Sequence, residues 1–215
     1  MRYFFICGLW TAYCILHSFL ISISFTKFIN RILKKYYTFY RLFYVLSALI
    51  LLILLIDYTS PYDNEIIVSY TYPWSIIRYA LMYGSLLLFF WAFFFNYDSL
   101  SFFGIRQILN SGKEATINHS ETIKKKGLLG VIRHPMYLAL IIFLWSTIFT
   151  LMDLLITTLL TIYVIIGTIL EEKKLVFEFG DAYIKYQHEV PMLIPFIKPK
   201  AVWINYSILL YIRNE

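Results

Sequence analysis

Arg133, His134 and Pro135 stand together at the start of an apolar run, with Tyr137 about one turn further on, and Glu171 and Glu172 follow a second apolar run downstream. A guanidinium presents a fixed fork of donors to a carboxylate, and an imidazole exchanges protons near neutral pH. A pair of carboxylates attracts cations and sugar-type hydroxyls. Pro135 suits the first position of a helix, where a missing N–H costs nothing, and the free amides of such a turn favour negative charge. An anion pocket, a cation pocket and an aromatic wall together suit a zwitterionic ligand with a flat ring. The same residues would also serve as an interfacial salt bridge anchoring two helices, because ionisable groups at span ends often only pair or snorkel. Spacing alone favours the anchor.

The elements that must position these residues are membrane helices. The chain has 215 residues, 60% hydrophobic and 15% charged, with a mean hydropathy of +0.68. A soluble domain of that size carries about 25% charge, so bilayer solvent explains the excess of apolar residues better than a large core does. The net charge of +6 does not point to nucleic acid, since the basic residues lie in short clusters between apolar runs. Five Trp, 19 Tyr and 19 Phe supply interfacial anchors.

Five runs are long enough to span: Phe4 to Phe25, Phe39 to Ile56, Trp74 to Phe95, Met136 to Met152 and Leu154 to Leu170. Only Asp153 separates the last two, which places a tight turn there and makes residues 136–170 a helical hairpin. An antiparallel hairpin turning at Asp153 sets Arg133 and His134 opposite Glu172 and Lys173. The alternative is a re-entrant pair that never crosses. The first run is too long for a signal peptide and lacks a small-x-small cleavage site, so it is expected to stay in the mature chain.

Lys and Arg are concentrated after the first, third and fifth runs and missing between the second and third. That bias predicts an amino terminus outside and a carboxyl terminus in the cytoplasm. The expected fold is an all-α polytopic membrane protein. Residues 1–96 hold three spans, 97–135 form a cytoplasmic loop, 136–170 form the hairpin and 171–215 form a cytoplasmic tail. In that tail Leu175, Val176, Phe179, Tyr183 and Tyr186 recur at helical spacing, which predicts an amphipathic helix on the membrane surface, ended by Pro191 and Pro195. Cys7 and Cys14 lie two turns apart on one helix, too far for a disulfide, and read as small packing residues. The four histidines are scattered without metal-ligand spacing, so no metal site is expected.

The segments "RHPMYLA" and "EEKKLVFEFGDAYIKYQHEVPMLIP" resemble the carboxyl-terminal signature of the integral-membrane methyltransferases. That superfamily includes the isoprenylcysteine carboxyl methyltransferases, the phospholipid methyltransferases, the NnrU-like proteins and the methanethiol S-methyltransferases. Its pattern is Arg-His-Pro-x-Tyr, a helical hairpin, a Glu-Glu pair, Phe-Gly-x-x-Tyr and Val-Pro, and all parts occur here in order over Gly127 to Pro195. In the first half, "LHSFLIS", "YRLFY" and "FFGIRQIL" resemble the NnrU-like and methanethiol branch. The chain departs from the family at Leu129, where a tyrosine is common, and in a polar insertion at about 111–126.

The resemblance implies S-adenosyl-L-methionine as cofactor, lined by Arg133, His134, Pro135, Tyr137, Glu171 and Glu172 and closed by Tyr183 and the Val190-Pro191 turn. No Gly-rich loop follows a strand, which excludes the soluble Rossmann way of holding that cofactor. His134 and Arg106 are the candidate catalytic residues, as a base or cationic field for a thiol or as an anchor for a carboxylate. His17 and Gln107 are the candidate substrate residues; His17 reads equally well as a neutral histidine bonded to a neighbouring helix. The implied acceptor is a small thiol, with a prenylated cysteine carboxylate or a lipid as the alternative, and a non-catalytic accessory or transport role as the second. The implied location is a bacterial inner membrane, in contact with lipid, with the site facing the cytoplasm.

Overall fold

The computed structural model describes residues 1–60, 65–97, 99–109, 125 and 127–197. The chain is an all-α polytopic membrane protein in which, among the described residues, four stretches are long and apolar enough to cross a bilayer: Arg2–Ile21, Ile23–Thr59, Trp74–Asn96 and Leu151–Phe179. It divides into two compact units.

The first unit comprises Met1–Arg78, Tyr97–Thr116 and Thr147–Leu160. It holds α1 (Arg2–Ile21), α2 (Ile23–Leu33), a 3-10 turn (Lys34–Phe39), α3 (Tyr40–Thr59), β1 (Ile66–Val68), the start of α4 (Trp74–Trp91), and the short α5 (Ser99–Phe102) and α6 (Ile105–Leu109). The run expected to be one helix from Phe4 to Phe25 breaks at Ser22. That residue is extended (ψ 146) and its Oγ accepts from the Phe25 N–H at 3.3 Å, capping α2. A serine that satisfies the first free amides of a new helix competes with continuation of the old one. Helices α1 and α3 are joined by phenols: Tyr13 donates to the Ala48 carbonyl at 3.3 Å and Tyr40 to that of Leu20 at 2.8 Å. Ile6, Trp10 and Met152 form the buried apolar cluster, flanked by Leu52, Leu55 and Leu159.

Two expectations change around the fourth run. It forms α7 (Pro135–Trp145), 11 residues long, and not a helix reaching Met152. At 1.5 Å per residue that is about 16 Å, roughly half the hydrocarbon thickness. The turn lies at 146–150 and ends in β2 (Phe149–Thr150), which pairs antiparallel with β1. Asp153 is already inside α8 (Leu151–Phe179). Its carboxylate accepts from the Thr150 N–H at 3.0 Å and hydroxyl at 2.8 Å, while the Thr150 hydroxyl accepts from the Asp153 N–H at 3.1 Å. This reciprocal capping box starts α8 before Asp153, and the acid in its first turn favours the helix dipole.

The second unit comprises Tyr79–Asn96, Ile117–Ser146 and Thr161–Glu215. Here α4 closes in a single π turn (Ala92–Asn96), a 3-10 turn covers Gly127–Gly130, and α7 lies antiparallel to the later part of α8. Trp145 Nε1 donates to Thr161 Oγ1 at 2.9 Å, which fixes the pairing at one end. Helix α8 runs past Leu170 as far as Phe179, so the glutamate pair sits within a helix and not after one. Gly180 then adopts φ +58, a left-handed conformation that glycine enters without steric cost, and α9 (Asp181–Glu189) begins. The tail is thus two helices on either side of a bend, where one surface helix was expected. Their apolar faces meet each other: Val176, Tyr183, Tyr186 and Val190 form a buried cluster, with Leu175 and Phe179 against it. Helix α9 stops at Glu189, ahead of Pro191.

Candidate functional site

The lip before α7 is built from backbone first. His134 stands at the N-cap position without a side-chain capping bond, and Pro135 takes the first position of the helix, as the sequence predicts. Arg133 N–H donates to the Pro191 carbonyl at 2.9 Å and His134 N–H to that of Met192 at 3.1 Å. The chain after α9 therefore runs alongside the lip as a two-rung ladder. Tyr186 adds a third tie, donating to the Leu129 carbonyl at 2.5 Å.

Glu172 lies at the centre of this arrangement and is fully buried, with 0% exposure. Its Oε1 accepts from Arg133 Nε at 2.9 Å, His134 Nε2 at 2.7 Å and the Tyr183 hydroxyl at 2.7 Å. Its Oε2 accepts from Arg133 Nη2 and Gln187 Nε2, both at 2.6 Å. A carboxylate offers about four lone-pair directions, so five donors saturate it. Arg133 is 3% exposed and spends its remaining donor, Nη1, on the carbonyls of Gln187 (3.0 Å) and Val190. Burying such a pair is tolerable because the carboxylate is saturated and four of the five guanidinium N–H groups are bonded.

Glu171 is the open member of the pair. Its side chain is 37% exposed, accepts from the Tyr137 hydroxyl at 2.6 Å and lies 3.9 Å from His134 Nδ1. The rings of His134 and Tyr137 stack with centroids 5.5 Å apart and 16° between planes. Because Glu172 accepts only, the His134 nitrogen facing it, Nε2, carries the hydrogen, and Nδ1 is directed to the Glu171 side.

The structure thus gathers Arg133, His134, Pro135, Tyr137, Glu171, Glu172 and Tyr183 in the second unit, in the pairing expected of the hairpin. His17 and Arg106 belong to the first unit. His17 Nε2 is 2.8 Å from the Tyr44 hydroxyl of α3, the helix-to-helix bond of its simpler reading. Arg106 is exposed on α6. The side chain of Gln107 lies outside the described residues, as does most of the insertion at 111–126. Gln187 was not singled out from the sequence, yet it is 2% exposed and completes the Glu172 shell. Its signal was present: it lies four residues after Tyr183, on the same face of α9.

Burial, and then the Glu172 carboxylate, push the Tyr183 phenol above its ordinary value. Burial pushes Tyr186 up to about 12, although Arg133 pulls the other way. Unfolded tyrosine ionises at about 10, so between those values the native state keeps protons that the unfolded chain has lost. That contribution is intact below about pH 10 and disappears as pH rises through the folded values. The melting temperature in detergent is expected to drop steeply from pH 10 to about 12, and less steeply in Tyr183→Phe/Tyr186→Phe. Equal steepness in both proteins would assign alkaline loss to other groups.

A methanethiol S-methyltransferase of Crocosphaera subtropica is 30% identical to this chain over 196 residues, which cover 90% of the chain and 75% of that relative. The chain belongs to the methanethiol S-methyltransferase family. A family member from a Pseudomonas species is 34% identical over 163 residues, 74% of this chain. Another, methanethiol S-methyltransferase 1 of Bradyrhizobium diazoefficiens, is 39% identical over 115 residues, 52% of the chain. The chain spans 60% of the length of the first of these two and 39% of the second. No protein-family model and no solved structure matches it.

Proposed function

We propose that the chain transfers a methyl group from S-adenosyl-L-methionine to a small thiol, with the lip before α7 as its site. Family membership supports the reaction class, and the orientation of His134 carries the assignment to this site. The donor set fits a sulfonium nucleotide: the half-exposed Glu171 carboxylate attracts positive charge or ribose hydroxyls, and Tyr137 holds that carboxylate in place. The bound cofactor supplies a methyl group on a cationic sulfur. A thiol must lose its proton before its sulfur can attack, and its ordinary pKa near 8.5 leaves it mostly neutral at pH 7. His134 Nδ1 takes that proton. The imidazolium formed lies between Glu172 at 2.7 Å and Glu171 at 3.9 Å, which stabilise it. Arg133, Glu172, Tyr183 and Gln187 keep the ring in position, and the packed tail excludes water behind it.

The proposed topology sets this site at the inner leaflet. The pairing of β1 with β2 supports it: the two connections that lack lysine and arginine, 57–73 and 146–153, are hydrogen-bonded to each other in the first unit.

Thermal stabilisation by S-adenosylhomocysteine in detergent tests the proposal. A ligand at one hundred times its dissociation constant adds about 2.7 kcal/mol to the native state, and a shift of that order is expected. A melt that ignores the ligand, together with no methylation of short alkyl thiols in proteoliposomes, would remove the enzymatic reading.

A further inference from the structure

Asn96 ends the π turn Ala92–Asn96, whose first residues, Ala92 and Phe93, are buried. Single π turns insert an extra residue into a helix at a cost in hydrogen-bond geometry, and they recur where a side chain must be aimed. This one packs against the 3-10 turn Gly127–Gly130 and against α7. From that 3-10 turn the chain passes directly into the lip, with Val131 N–H and Ile132 N–H both donating to the Leu128 carbonyl at 3.0 Å. Asn96 Nδ2 is buried and meets no hydrogen-bond partner among the described residues. A buried amide donor without a partner has lost its hydration with nothing in exchange, so the fold keeps it at a loss. Gly127 stands beside it. Its φ of +62 disfavours any side chain, and a Cβ there would lie 3.9 Å from Asn96 Oδ1 and 4.0 Å from Nδ2.

We propose that Asn96 is a ligand-contacting residue whose Nδ2 donates to a hydrogen-bond acceptor of the nucleoside or amino-acid part of the bound cofactor. The inference rests on the methyltransferase reading above. A neutral amide held by a rigid turn selects an acceptor atom and is indifferent to the sulfonium charge, so its task is complementary to that of Glu171. A buried donor that is satisfied only when ligand arrives also explains why the unliganded fold tolerates it.

Asn96→Leu and Asn96→Ala, in the full-length chain in detergent, separate this role from a structural one. Each variant is melted with and without S-adenosylhomocysteine, and the affinity is obtained by titration. The proposal expects unliganded melting temperatures at or above wild type, because an unpaired donor has been removed, together with an affinity lower by about tenfold or more. Affinity within twofold of wild type in either folded variant overturns it. Failure of both variants to fold also overturns it, since the amide would then belong to the fold. If the wild type itself ignores the ligand, the assignment of Asn96 fails; if it also methylates no short alkyl thiol, the methyltransferase reading fails with it. Wild-type binding matched by the variants overturns the assignment alone.

Discussion

Glu172→Gln is expected to destabilise the protein by about 3–5 kcal/mol, the range for breaking a buried ion pair by removing one partner. Arg133 would keep its charge at 3% exposure with no counterion. The new amide would also bring two donors into a position where Arg133, His134, Tyr183 and Gln187 already supply five and only acceptors fit. Both effects act in the same direction. The comparison is Glu189→Gln, which breaks the ion pair between Lys125 and Glu189, where both side chains are more than a third exposed. Exposed pairs contribute little, so that melt should coincide with wild type. Thermal unfolding of the two variants in one detergent decides the matter. Similar melts for both would mean that the Glu172 cluster does not hold the lip together.

His134→Gln is expected to lower kcat with methanethiol by roughly 10²- to 10⁴-fold, the usual contribution of a positioned general base. Glutamine keeps a donor for Glu172, and so spares the network, but it has no titratable nitrogen in place of Nδ1. The loss should depend on the acceptor. An aryl thiol, largely ionised at neutral pH, has no proton to give up and should retain most of its wild-type rate in the variant. Stabilisation by S-adenosylhomocysteine should persist, because Glu171 and Tyr137 remain. An equal loss with alkyl and aryl thiols would show that His134 does not act as the base.

Much of the candidate site was legible because it depends on helical register alone. Once the two apolar runs are an antiparallel pair, Arg133 and His134 must meet Glu172, and both contacts form, at 2.9 and 2.7 Å; the bond between Tyr137 and Glu171 at 2.6 Å appears only in the structure. The turn lies ahead of Asp153, the residue at which the spacing predicts it, while the pairing is the predicted one. Pairing follows from which residues face each other, whereas the turn follows from a local competition that the Thr150–Asp153 capping box wins. The same kind of competition at Ser22 divided the first run. In the tail, periodicity identified the apolar face but not its partner. A stripe of Val176, Tyr183 and Tyr186 suits a membrane surface as well as it suits another helix, and the bend at Gly180 makes the second outcome available.

Gln187 and Asn96 mark the other boundary. Each is an ordinary amide in the sequence, and only three-dimensional surroundings distinguish the one that completes a carboxylate shell from the one left without a partner among the described residues. The amino-acid sequence by itself determined the membrane character, the helical hairpin and the residue types of the lip, because these depend on composition and on the period of the helix. Tertiary structure alone decided that Glu172 is closed and Glu171 open. Adjacent residues on a helix point about 100° apart, and packing, not spelling, selects which of the two is buried.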